Sequence, residues 1–145
     1  MVSAEFNGKD LLKALEQFPT RIQKNVMTGA TRAAANVVRD EARRLVPKDT
    51  KNLQKSIRTV KRKSRKGEIR FSVVPVKGRK YKYDGWYAHF IEFGTSKQAP
   101  QPFMRPAFES QTDESLNAAK KYIAERIPKE VEKAKRWLKL IYILI

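Results

Sequence analysis

The chain of 145 residues contains no cysteine and one histidine, His89. The first absence excludes disulfides and thiol chemistry, and together they remove most metal sites. They fit assembly in a reducing cytoplasm. Acids are scarce, 15 Asp and Glu against 32 Lys and Arg. The six glycines are scattered, and none forms a phosphate-cradling loop. Long apolar runs are missing: the longest, residues 137–145, is interrupted by Lys139 and is too short to span a bilayer. Met1 to Asp10 carries two acids and no apolar core, so no secretory leader is expected.

The formal net charge is +17, and it is concentrated. Residues 58–82 hold eleven basic side chains and one acid, Glu68. They are Arg58, Lys61, Arg62, Lys63, Arg65, Lys66 and Arg70, then Lys77, Arg79, Lys80 and Lys82. Such an excess attracts a polyanion, whether nucleic acid, an acidic membrane face or an acidic protein, and is equally compatible with a solvated basic loop.

Apolar spacing organises the chain as one domain over 1–145. Residues 1–18 contain a short amphipathic segment with Leu11, Leu12, Leu15 and Phe18 on one face. A long helix is predicted over 19–46, with Ile22, Val26, Ala30, Ala33, Val37 and Leu45 as its apolar stripe. Its opposite stripe is basic and includes Arg21, Arg32, Arg39 and Arg43, which reads as a solvent face or a surface turned to a channel. Pro47 ends this helix. Asp49-Thr50 is positioned to cap a short turn.

Residues 55–95 read as a sheet with basic loops. Its strands are Ile57–Val60, Ile69–Val74 and the aromatic run Trp86–Phe93, with a hairpin tip at Gly67 and His89 packed as a strand residue. Residues 105–140 read as helices, with Pro128 kinking one or starting another. The β-prone tail 137–145 needs burial, and a neighbouring molecule is the favoured cover. The expected fold class is α+β: a small antiparallel sheet of about three to four strands, a long N-terminal helix packed on it, and a C-terminal helical segment.

No catalytic constellation is visible. One histidine beside Phe90 cannot build a triad. Glu92 and Glu109 are a carboxylate pair in sequence alone. Asp40-Glu41 sits among arginines and reads as an ion-pairing feature. No enzyme activity, metal or cofactor is expected. No base-reading module is present. Tyr81, Tyr83 and Trp86 among the basic loops could stack on single-stranded bases, but phosphate contact is the better expectation.

Two blocks stand out. One runs Trp86-Tyr87-Ala88-His89-Phe90-Ile91-Glu92-Phe93-Gly94-Thr95 and continues as Pro102-Phe103-Met104-Arg105-Pro106-Ala107-Phe108. The other is Val46-Pro47, Asp49-Thr50, Leu53 and Ser56-Ile57, with Lys51 where a glycine is usual. Together they resemble the "gene product ten-like" family of phage tail-completion, or head-tail joining, proteins over roughly residues 19–110. The first block contains Tyr87, Glu92, Phe93, Gly94 and Thr95, then Pro102, Phe103, Arg105, Pro106 and Ala107 as motif residues.

The resemblance implies a structural virion protein at the head-tail junction, assembled in the host bacterial cytoplasm. It implies a homo-oligomeric ring, a hexamer being favoured, between the phage connector and a tail-tube or tail-terminator protein. Double-stranded DNA would pass through the ring without being read. The alanine-rich helix and the apolar tail are candidate ring faces. The candidate DNA-facing residues are Arg58, Lys61, Arg62, Lys63, Arg65 and Lys66, with Lys77, Arg79, Lys80 and Lys82, and Arg32, Arg39 and Arg43 of the helix. The alternatives are a non-sequence-specific nucleic-acid-binding protein and a membrane-surface protein using residues 131–145; no membrane partner is expected.

Overall fold

The computed structural model describes residues 8–47, 51–64 and 67–144. The element order is α1 (Gly8–Glu16), α2 (Thr20–Leu45), α3 (Lys51–Ser56), β1 (Ile57–Arg62), β2 (Arg70–Pro75), α4 (Ala88–Phe93), α5 (Met104–Ser110) and α6 (Thr112–Leu144). The cap proposed for Asp49-Thr50 and the candidates Arg65 and Lys66 lie outside the described residues.

Helix α2 is the spine. Pro19 precedes it in an extended conformation and its carbonyl accepts the amides of Ile22 and Gln23. Its end follows from Pro47, which holds Val46 extended. Two cores form along its length. The first gathers Leu11 and Leu15 of α1, Val26 and Ala30 of α2, and Ile123 of α6. The second gathers Val38 and Ala42 of α2, Val46, Leu53, Ile57, Ala88, Phe103 and Ala107. Since Ala107 meets the C-terminal half of α2 and Ile123 its N-terminal half, α6 runs back antiparallel to α2. Gly29 makes that approach possible: a Cβ there would collide with the Tyr122 ring.

Among the described residues the sheet has two strands, not the expected three to four. β1 and β2 pair antiparallel from Ile57↔Pro75 to Arg62↔Arg70. The missing strand is the aromatic run, which is helical as α4. The buried or half-buried positions Ala88, Ile91 and Glu92 keep a spacing of three and four, but Trp86, Phe90 and Phe93 on the exposed side are aromatic too. Hydropathy therefore shows no period, and β-propensity points the wrong way. His89 is accordingly an exposed helical residue, with its ring against Phe90. A two-stranded hairpin is marginal by itself; this one lies on α2, where Thr59 donates to Asn36 and Arg32 covers the Phe71 ring.

α6 continues as one helix through Pro128, which is exposed. Proline removes a single backbone donor there, while Ile123 and Ile127 pack in the first core and Arg126 bridges to Glu130 at 2.9 Å. The strand-like tail is helical to Leu144, since extending an established helix adds a bond per residue without a new nucleus.

Gly29→Ala gains helix propensity of about 1 kcal/mol, yet displacing the Tyr122 ring from a packed contact should cost about 1–3 kcal/mol. Urea unfolding should show a net loss, recovered in part by adding Tyr122→Ala. Unchanged or increased stability would contradict the close contact.

Candidate functional site

Three surfaces concentrate the distinctive residues: the motif junction, a basic strip, and an aromatic groove.

The motif residues form a junction between α4 and α5. The Glu92 carboxylate accepts the backbone amides of Phe103 at 2.8 Å, Met104 at 3.0 Å and Arg105 at 3.2 Å. These are unpaired donors of a new helix, and the next residue, Pro106, has none. The spacing from Glu to Pro-Phe-x-x-Pro-Ala is thus a helix start capped from a distance. Burial pushes the Glu92 carboxyl up, but the amides of Met104, Phe103 and Arg105 and the Arg105 charge outweigh it and hold it below the usual carboxylate range. The connecting segment turns at Gly94, whose φ of 75° lies in the left-handed region. A Cβ there would sit 2.8 Å from the Gln98 carbonyl and the Pro100 nitrogen. Thr95 and Gln98 bridge, the Thr95 hydroxyl accepts the Lys97 and Gln98 amides, and Gln101 donates to Ile91. Phe103 and Ala107 are fully buried, Tyr87 packs beside them, and Pro102, Arg105 and Phe93 face outward.

The basic residues form a strip where β1 lies along α2. At one end Arg39 and Arg43 of α2 meet Lys55, Arg58 and Tyr83 around an open cleft of about 680 Å³. At the other, Lys24 of α2 meets Lys61, Arg62 and Lys63 at the hairpin end. From Lys24 to Arg43 the strip extends about 28 Å at the helical rise. Asp40 and Glu68 beside it are held by Arg39 and Arg70. Arg43 donates twice to the Ile57 carbonyl, so the α2 stripe partly faces the sheet rather than solvent. Burial, then the Arg39 charge and that of Arg58, lower the Arg43 pKa, with Asp40 opposing.

The loop carrying Lys77, Arg79, Lys80 and Lys82 is exposed and turns at Gly78, whose amide donates to Asp84. The Asn52 side-chain amide clamps the Asp84 backbone, its NH2 donating to the carbonyl and its oxygen accepting the N–H. Lys82 and Lys55 flank the Tyr83 ring, and Arg58 covers Tyr81. The loop therefore joins the Arg39–Arg58 end of the strip. Cations of the chain thus lie against both tyrosine rings, in competition with base stacking. Sequence reasoning missed Lys55 and Lys24 as members of the strip. Lys24 continues the basic side of α2 from Arg21 and was legible; Lys55 lies on a short helix without visible period.

The third surface is an apolar groove of about 630 Å³ bounded by β2, α4 and α5. Trp86, Phe93 and Phe108 open into it and are 59, 70 and 65% exposed. Glu92 and Glu109 both line it, but Glu92 is committed to the α5 amides. His89 contacts the Trp86 carbonyl through Nδ1. Among the described residues no group of three or more His, Asp or Glu could hold a metal, and no helix is long and apolar enough to cross a membrane.

A family model, HK97-gp10_like, described as "Bacteriophage HK97-gp10, putative tail-component", matches residues 9–94, more than half of the chain. No curated protein and no solved structure matches.

Glu92→Gln should cost about 1–2 kcal/mol at neutral pH, the range for loss of a charged helix cap. The folded pKa is depressed, so the wild-type advantage is complete above the ordinary value of 4.5 and declines as pH falls through the lower folded value. Urea unfolding of both proteins from pH 7 to pH 3 checks this; a pH-independent difference would refute it. Gly94→Ala should lose about 1–3 kcal/mol through backbone strain.

Proposed function

The chain belongs to the HK97-gp10-like family of phage tail components, and on that premise we propose that it is a subunit of the ring joining head to tail, with its basic strip facing the DNA channel. Membership carries this reading: it makes the chain a structural component of a bacteriophage tail and places it in the virion. The junction built by Glu92, Gly94 and Phe103 acts as a scaffold in this reading, because its polar groups are spent on backbone amides.

The head-tail position and the ring, six copies being the favoured number, extend the family assignment to what a DNA-conducting joint requires. Such a joint must close by rotation using two unlike faces. It must also let a duplex through, so contacts should be to phosphate and not to base edges. Lys24, Lys61, Lys63, Arg43, Lys55 and Arg58 offer charge along about 28 Å without base-reading geometry. The connector and a tail-tube or tail-terminator protein are the proposed partners.

Mass measurement and negative-stain imaging at rising concentration, alone and with tail tubes or connectors, test the ring. Closed rings are expected; a persistent monomer that binds neither partner overturns the reading. For the channel, duplex binding at about 50 mM salt should be detectable and sequence-independent. Replacing Arg58, Lys61 and Lys63 by Glu should weaken it. The slope of log affinity against log salt should flatten by roughly 0.9 for each phosphate no longer neutralised. No binding by the unaltered protein would remove the DNA-facing role.

A further inference from the structure

Two apolar surfaces lack a cover among the described residues. One is the groove with Trp86, Phe93 and Phe108. The other is the end of α6, where Leu138, Leu140 and Ile143 are 67, 49 and 72% exposed. Apart from Lys139, residues 137–144 are all apolar or aromatic. A helix end with so much exposed apolar surface favours burial against another surface. Here the helix outruns its support: its last residue in a core cluster is Ile127, and residues 132–136 are all exposed.

The two surfaces cannot meet within one molecule. α5, which lines the groove, leads directly into α6, and α6 runs from Thr112 to Leu144 without a break. Leu140 therefore lies about 42 Å from the start of α6 at the helical rise.

We propose that the C-terminal end of α6 of one copy docks in the aromatic groove of the next, which rests on the ring reading above and names its subunit contact. Groove and tail are unlike faces, so repeating the contact gives a head-to-tail arrangement, which is a ring when the rotation between copies closes. Each exposed ring of the groove can bury about 150–250 Å², leaving on the order of 400 Å² open. That is about half of the roughly 800 Å² each partner buries in a stable pair, so the contact is one anchor of a larger interface. Glu109 on the groove lining offers a counter-charge to Lys139 of the tail. A lipid surface could take the basic tail but would leave the groove uncovered.

Salt separates the occupants. Copies of a chain with net charge +17 repel, so docking through apolar surfaces should strengthen as salt rises. Adsorption to anionic vesicles should weaken. The absence of cysteine permits a direct test: Lys77→Cys on the groove and Lys139→Cys on the tail, joined by a short bis-maleimide. The double variant should give a ladder of covalent oligomers, and each single variant dimers at most. Deleting residues 138–145, or introducing Trp86→Glu, should raise the concentration needed for assembly at least tenfold, with thermal unfolding of the deletion variant unchanged. Assembly that survives the deletion, or rings that yield no 77–139 ladder, would overturn the docking and leave the ring intact. A monomer that still joins tail tubes also overturns the docking alone; a monomer that joins nothing overturns both. Salt-sensitive vesicle binding by the tail without a ladder overturns the docking in favour of a membrane contact.

Discussion

The carboxylate of Glu92 sets the position of everything that follows it in the chain. It satisfies the amides of Phe103, Met104 and Arg105 and so fixes where α5 begins relative to α4. Unpaired amides at a buried helix start are costly, and here one side chain eleven residues upstream removes three of them. With α5 placed, Phe103 and Ala107 enter the core formed by Val38, Ala42, Val46 and Leu53. α6 then runs back along α2 past Gly29. The left-handed turn at Gly94 and the proline-stiffened crossing serve the same end, since both shorten the set of paths from Glu92 to Phe103.

The basic surface is shaped by the fold as much as by composition. α2 brings Arg39 and Arg43 to one end of β1 and Lys24 to the other, while the loop after β2 returns Lys82 beside Lys55 and Tyr83. Several of these cations also touch neutral groups of the chain, Arg43 the Ile57 carbonyl, Arg32 the Phe71 ring and Arg58 the Tyr81 ring, and none of these contacts neutralises their charge. The result is an extended strip of lysines and arginines with an open cleft at its Arg39–Arg58 end. Its charge is of the sign that attracts a polyanion, and it is compatible with a structural role in a phage tail.

The aromatic run shows where local signals mislead. In water an exposed aromatic side of a helix is unusual, and β-propensity assigns such a run to a strand. In this chain the run is helical, and its outward rings line a groove that the described residues leave open. A departure from local rules of this kind is expected at contact surfaces. The tail of α6 departs in the same way, with apolar residues on every side of a helix that extends beyond its own core.

Much of the helical architecture was legible from residue order alone. The stripe of Ile22, Val26 and Ala30, the stop at Pro47 and the hairpin around Gly67 follow from short-range periodicity and from proline and glycine geometry, while the two motif blocks stand out through their resemblance to a known family. These depend on neighbours within a few residues, so sequence reports them. The partnership of Glu92 with the start of α5, the turning of the arginine stripe toward the sheet, and the separation of groove and tail to opposite ends of α6 were decided by the tertiary structure. Each depends on which distant surfaces meet in space, and that is settled by the packing of α2 against α5, α6 and the hairpin, for which no single stretch of residues encodes the distances.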